Sequence, residues 1–419
     1  MPFPWRRTFL IALGFFGISL IWPVYKAYVP VFLDHLGLSA LLVGFFTSFD
    51  SYANLFIQPT VGTLSDRTRT RIGRRKPFML IGAPVAALAF VSIPFMDSLP
   101  LLVAAIVVTV VAMALFRAPT VALLGDLFPS AWRSRANGVI NLMGGLAGAI
   151  ALFAGGALYK SNHILPFLVM AVGMLLAVGF VILFIREPPE AYSGAAGPVP
   201  EPNMPIRTAL RRALTGQDRS LLAILAAIFC WSAAISAMQD FFTLYGRDVL
   251  GIDAGTAAQM LTLFAAAAVL FAIPGGLLAT RFGRRRTVSA CLIVLAVLFA
   301  AAYGTTSLLF DQIMLVIAGA AYTTVIVSAL PMVLDAAPTD DTGTYTGVYY
   351  VFGATAGIVG PPLAGWLIDV TGTYRSVFLF GPIFMTLALI LILRNRGGEA
   401  QPVGAPVEAA DPAPSATGG

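Results

Sequence analysis

The chain has 419 residues, of which 58% are hydrophobic and only 11% charged, with a mean hydropathy of +0.86. Soluble globular proteins are roughly 45–50% apolar and about 25% charged, so this chain lacks the polar surface to clothe a water-soluble particle and belongs in a bilayer. The net charge of +6 rests on short clusters between apolar runs, a pattern that sets topology and argues against a nucleic-acid partner. Cys230 and Cys291 each lie inside an apolar run, which argues against a disulfide framework, and no metal-ligand spacing occurs.

A spanning helix needs about 20 predominantly apolar residues. Twelve such segments are predicted, at 8–33, 40–65, 77–97, 100–126, 135–158, 164–186, 220–245, 255–280, 287–305, 308–335, 343–368 and 375–393. Arg6 and Arg7 precede the first run as in a secretory signal, but no small-residue cleavage site closes it, so it reads as a spanning helix. With residue 1 in the cytoplasm, 21 of the 26 Lys and Arg fall inside and only Lys160, Arg247 and Arg375 outside. The positive-inside rule therefore places both termini in the cytoplasm. Short external loops point to a bacterial inner membrane.

Residues 187–219, rich in Pro, Gly, Glu and Arg, read as a cytoplasmic linker between six-helix bundles at 1–186 and 220–396, with a disordered tail at 397–419. The two bundles repeat each other. Asp126 recurs as Asp335, Gly138-Val139 as Gly347-Val348, Gly144 as Gly353 and Gly148 as Gly357, each pair 209 residues apart. Gly73-Arg74-Arg75 recurs as Gly283-Arg284-Arg285 after one length adjustment. The fold class is all-α integral membrane, with twelve helices in two pseudo-symmetric bundles. Carriers built this way hold their substrate between the halves near the midplane.

The most specific segment runs from Gln58 through Gly62, Asp66, Arg67, Arg69 and Arg71 to Gly73-Arg74-Arg75-Lys76. Gly62 is expected to permit close helix approach. Asp66, at a helix C-terminal end, opposes the local dipole and needs a cationic or N-terminal partner, so the segment reads as a bistable salt-bridge latch. Its repeat copy, Gly276 to Arg286, keeps Arg281, Gly283 and Arg284 but has Thr280 in place of Asp66. Gly62 through Arg75 resembles the signature loop of the major facilitator superfamily, in the longer variant of the sucrose-transporter and glycoside–cation symporter families. Ala122 to Asp126 followed by Arg135-Ala136-Asn137, and Gly246-Arg247-Asp248-Val249, are similar to further motifs of those families. The resemblance implies the major facilitator fold and proton-coupled symport of α-glucosides such as sucrose or maltose.

Four charges sit at membrane depth, where charge is costly and usually functional: Lys26, Asp50, Arg117 and Asp240. Asp50, Asn54 and Gln58 share one helical face, and Lys26 lies at the depth of Asp50, so a salt bridge between helices one and two is expected. Such a pair can be structural, Asp50 can carry the coupling proton with Lys26 and Asp240 as partners, or it can bind the solute directly; Arg117 can bracket a sugar's hydroxyls or restrain Asp50. In melibiose carriers, which the chain resembles, the acidic cation-site register falls here on Asn54 and Gln58, which argues against sodium. Asn137, Asn141 and Gln239 add amide groups, and Trp22, Tyr25, Trp231, Tyr322, Tyr349 and Tyr350 are candidate sugar platforms or interfacial and packing aromatics. Glycines at 144, 145, 148, 155 and 156, mirrored at 353, 357, 360 and 365, fit sliding helix contacts.

The expected activity is import of a glycoside with a proton by alternating access. The alternative is a proton-driven efflux antiporter of amphipathic or cationic compounds. No nucleophile–base grouping or nucleotide loop appears, so neither an enzyme nor a cofactor is expected. The expected partners are a small solute, a proton and membrane lipid, with the chain a monomer.

Overall fold

A computed structural model describes residues 4–187, 208, 219–337 and 342–394. Most of the linker and all of the tail at 397–419 lie outside the described residues. Twelve helices of spanning length and hydropathy occupy the rest: α1 (Trp5–His35), α2 (Ala40–Arg67), α3 (Lys76–Phe95), α4 (Leu99–Leu127), α5 (Arg135–Ser161), α6 (Leu165–Phe184), α7 (Ser220–Asp248), α8 (Ala254–Phe282), α9 (Arg284–Gly304), α10 (Leu308–Ala336), α11 (Gly343–Thr371) and α12 (Tyr374–Arg394). No strand occurs among the described residues. Helices satisfy their own backbone, which is what lipid demands. Leu183 and Ile273, each 76% exposed, belong to the lipid-facing exterior.

In the first bundle α1 packs against α5 and α6, and α3 against α4; in the second, α7 packs against α11 and α12, and α8 against α10. The bundles meet along two related seams, α5 on α8 and α2 on α11, with α1 against α7 between them.

The seams close at one membrane face only. At the face opposite the arginine-rich loops, a Cβ on Gly156 would overlap the Gly255 carbonyl oxygen, and one on Gly365 the Ala40 carbonyl oxygen. Gly156 and Gly365 are themselves 209 residues apart. Deeper in, Gly145 abuts Val269 and Gly357 abuts Ser51. Toward the basic face the halves part: a Cβ on Gly138 or Gly353 meets nothing within 4 Å. Arg135, Asn137 and Asn141 are exposed there, and Tyr350 is 64% exposed. The cleft therefore opens to the basic face. Gly62 corrects an expectation, since nothing lies within 4 Å of its Cβ position. It sits on the parted side, so it makes no close helix approach in this conformation.

Polar bonds tie the closed face. Asp369 at the end of α11 accepts the N–H groups of Ala40 (2.7 Å) and Leu41 (2.9 Å) at the start of α2. The Lys160 ammonium donates to Gln259 at 2.7 Å. Arg247 and Tyr374 both donate to Asp34.

The continuous helix expected at 40–65 is interrupted. The hydroxyls of Thr47 and Ser48 donate to the Gly44 carbonyl at 3.1 and 2.7 Å, competing with the helical ladder. The first segment ends at Thr47, a short one runs Phe49–Tyr52, a π-turn spans Ala53–Ile57 and Gln58–Arg67 completes the helix. Turns of the π kind concentrate at functional positions. This one carries Asn54 and directly follows the segment that holds Asp50.

Candidate functional site

The break in α2 presents Asp50 in the first turn of a short helical segment, where its Oδ1 accepts the Ser51 N–H at 2.7 Å and the Ser51 hydroxyl at 3.3 Å. Its Oδ2 lies 3.5 Å from the Lys26 ammonium, the pairing expected from depth alone. Lys26 also donates to Asp240 Oδ1 at 3.0 Å. One cation from α1 thus serves two carboxylates, one in each bundle. Asp240 is 1% exposed, and its second oxygen has no hydrogen-bond partner among the described residues. Burying a carboxylate this way is tolerable only while its counterion stays.

Beside this cluster a cavity of about 180 Å³ is lined by Trp22, Lys26, Gly148, Leu152, Gln239 and Phe264. It offers an ammonium, an amide and an indole whose Nε1–H is unpartnered among the described residues. Two of the candidate aromatics take the packing role in this conformation. Trp231 and Tyr25 are completely buried; Tyr25 packs edge-on to Trp22 and donates to the Phe46 carbonyl at 3.4 Å. Neither presents surface to a solute here, because their helices are buried on several sides and their rings fill the packing between them. Tyr322 is half-buried against Phe264, with ring centroids 5.9 Å apart. Tyr349 and Tyr350 meet edge-on at 5.1 Å on the open side of α11.

Below Asp50, toward the basic face, the Asn54 Oδ1 accepts from Arg117 Nη1 at 3.0 Å and from the Gln58 amide. Helical spacing puts Asn137 and Asn141 on the α5 face that, at Gly145, meets α8, so both amides border the open cleft.

The signature loop is tied within the first bundle. Arg75 bonds Asp66, the Ser65 hydroxyl and Asp126, the last at 3.0 Å, while Arg74 bonds the other Asp126 oxygen. Asp66 thus has the cation its dipole position requires. Burial alone would lower the Arg75 pKa, but its bonds to Asp126 and Asp66 outweigh that and raise it, so the guanidinium stays charged. In the copy, Arg284 pairs with Asp335, and Arg285 donates to the Ile392 (3.1 Å) and Leu393 carbonyls of α12, a helix end standing in for the missing carboxylate. Gly283 has φ +86°, and the Arg281 guanidinium lies 5.4 Å from the Phe282 ring centre. Arg67 is exposed. Arg75→Gln is expected to leave Asp66 without its cation and Asp126 with Arg74 alone, at a cost of about 1.5–3 kcal/mol, the range for hydrogen bonds to charged groups. Hydrogen exchange across 66–76 should rise accordingly.

Glu187 was not singled out from the sequence. Directly after α6, its carboxylate accepts the N–H groups of Arg74 (2.8 Å), Arg75 (3.0 Å) and Lys76 (2.9 Å), capping the start of α3. Gly73 has φ +116°, and a Cβ there would lie 2.5 Å from Glu187 Oε1, so glycine is required twice over. Gly73→Ala should destabilise by about 1–3 kcal/mol, with a smaller penalty in a Glu187→Ala background. Thermal unfolding of the four proteins of that cycle measures the coupling.

The family model described as Major Facilitator Superfamily matches residues 7–259 and 248–416. The chain belongs to that superfamily. It is accordingly a multi-pass membrane carrier and not an enzyme. The fold agrees with solved superfamily structures. A bacterial homologue of the human lysosomal transporter Spinster, inward-facing and occupied, superposes with TM-score 0.74 at 16% identity over 94% of this chain and 97% of that one. A nucleoside transporter gives 0.73 at 13% identity over 92% and 97%. Among curated relatives, the general alpha-glucoside permease of Schizosaccharomyces pombe is 28% identical over 52% of this chain, which spans only 44% of the permease. The hexuronate transporter of Bacillus subtilis is 25% identical over 65% of this chain and 68% of its own length. A sucrose transport protein of Oryza sativa is 32% identical over a shorter stretch, 22% of this chain and 18% of that one.

The closed-face ties leave little mark in the sequence: Asp34 and Asp369 sit at helix ends, where a charge is ordinary, and Gln259 is a neutral amide in the second turn of α8. Their only signal is position, because Asp369 stands 209 residues after Lys160 and the two make the corresponding ties at the two seams.

Proposed function

We propose that the chain imports a glycoside-type solute with a proton, its basic face and both termini being cytoplasmic, in an inner-membrane setting. The observation that carries this reading is Lys26 bridging Asp50 of one bundle and Asp240 of the other. Opening the closed face draws α7 from α1 and strips Asp240 of its one ion-pair partner among the described residues. Open to the far side, that carboxylate takes its proton there, which removes the penalty of leaving it unpaired; release at the basic face returns a proton-free Asp240 to Lys26, and the empty carrier resets without a proton. Solute entering from the far side then meets Trp22, Gln239 and Lys26, and a proton on Asp50 or Asp240 leaves Lys26 with donors to spare for hydroxyls. The glucoside, hexuronate and sucrose relatives support a sugar-like solute.

The test is active uptake against counterflow in proteoliposomes. Asp50→Asn and Asp240→Asn should each abolish concentrative uptake while exchange of labelled for unlabelled solute continues. Undiminished accumulation in both variants would overturn the coupling role.

A further inference from the structure

A second cleft, of about 600 Å³, lies on the lipid side of the first bundle, where α1, α5 and α6 meet at the basic face. Its volume is that of a ligand site, about 300–1,000 Å³. Two aromatic pairs wall it. Trp5 and Phe9, one turn apart on α1, stack with ring centroids 6.2 Å apart, and Phe180 and Phe184 do the same on α6 at 5.7 Å. These four rings are exposed, while Leu10 and Met143, which also line the cleft, are half-buried and form its floor. Met143 stands eight residues into α5. At about 1.5 Å per residue the cleft therefore reaches roughly 12 Å from the basic end, most of one hydrocarbon leaflet of about 15 Å.

The mouth is cationic. Arg6 lines the cleft at its basic end, and Arg7 beside it and Arg186 just past α6 are exposed at the same end. None of the three has an ion pair among the described residues. Asp34, at the far end, is the only acidic residue of α1, and α5 and α6 contain none. Glu187, next to Arg186, is committed to the N–H groups of the signature loop. No side chain among the described residues caps α1, so the positive end of its dipole also stands at the mouth. A soluble anion would have no use for the aromatic walls, and a neutral acyl chain none for the arginines. The two features together call for an anionic amphiphile, and basic pockets between helices at a membrane surface hold anionic headgroups.

We propose that this cleft binds one anionic phospholipid of the basic-face leaflet, with its phosphate on Arg6 and an acyl chain between the two aromatic pairs. Nothing in this site depends on the cargo or on proton coupling.

Trp5 is a reporter already in the cleft, because bromine on an acyl chain quenches indole fluorescence on contact. The intact protein is reconstituted in phosphatidylcholine vesicles containing increasing brominated phosphatidylglycerol, and in phosphatidylglycerol vesicles containing increasing brominated phosphatidylcholine. The difference between wild type and Trp5→Phe isolates the Trp5 emission from that of the other tryptophans. One basic side chain near anionic headgroups is worth about fivefold in binding. Trp5 should therefore be half-quenched at a mole fraction of brominated phosphatidylglycerol at least about fivefold below that of brominated phosphatidylcholine. Arg6→Gln should cut that preference about fivefold. Arg286→Gln, which removes an exposed arginine from the basic face of the second bundle, should leave it intact. Equal quenching by the two lipids would overturn the proposal. So would a preference that survives Arg6→Gln or falls equally with Arg286→Gln, since the basic face would then attract anionic lipid without a site. Trp5 emission untouched by either brominated chain would overturn it as well, because the cleft would be closed to lipid.

Discussion

Gly365→Leu is expected to stop net uptake while the protein still folds and inserts. Gly365 lies where α11 crosses the start of α2, and even a Cβ would overlap the Ala40 backbone. A leucine can be accommodated only by keeping α2 and α11 apart at that face, which is the state in which the cleft opens there instead. Overpacking of this kind costs about 1–3 kcal/mol, and each 1.4 kcal/mol is about tenfold in a population, so one substitution shifts the conformational balance roughly 5- to 150-fold. Adding Gly156→Leu at the related seam, where the obstruction is again backbone, should lock the carrier open at that face. Spin labels across the closed face should report a longer distance in the variants, and labels across the basic face a shorter one. An unchanged distance distribution with normal uptake would show that the seams do not govern access.

The second large effect concerns Lys26. Lys26→Met leaves Asp50 and Asp240 at membrane depth without their common cation, a loss of about 3–5 kcal/mol for a broken buried pair. Thermal unfolding in detergent should fall accordingly. Lys26→Met combined with Asp240→Asn should recover much of that loss, because the uncompensated charge is gone, yet it should not recover accumulation. A single Lys26→Met protein as stable as the wild type would mean that the three groups are not mutually dependent.

The spans were legible because twenty apolar residues in a row have no other use, and the duplicated bundles followed from residues recurring at one offset. The Lys26–Asp50 pairing was legible because both lie in adjacent helices at one depth. That Asp240 shares the same ammonium was not, since it requires knowing that α1 and α7 meet across the two bundles. The break at Ser48 and the π-turn at Ala53–Ile57 depend on which hydroxyls claim the Gly44 carbonyl, and serines and threonines do this in only some helices. The sequence leaves Trp231 and Tyr25 open between solute platform and packing because helices apolar all round carry no stripe to separate core from cavity. Glu187 escaped notice for a different reason: its partners are backbone N–H groups more than a hundred residues away, which leave no mark on composition.

The most direct test of the account is uptake of labelled glycosides, neutral and carboxylate-bearing, into liposomes containing the purified protein, with an inward proton gradient and external pH followed together. The account predicts accumulation of at least one of them above its external concentration, with alkalinisation of the medium in fixed proportion to the solute taken up. Solute equilibrating with no proton movement, or a proton gradient that drives solute outward, would contradict it.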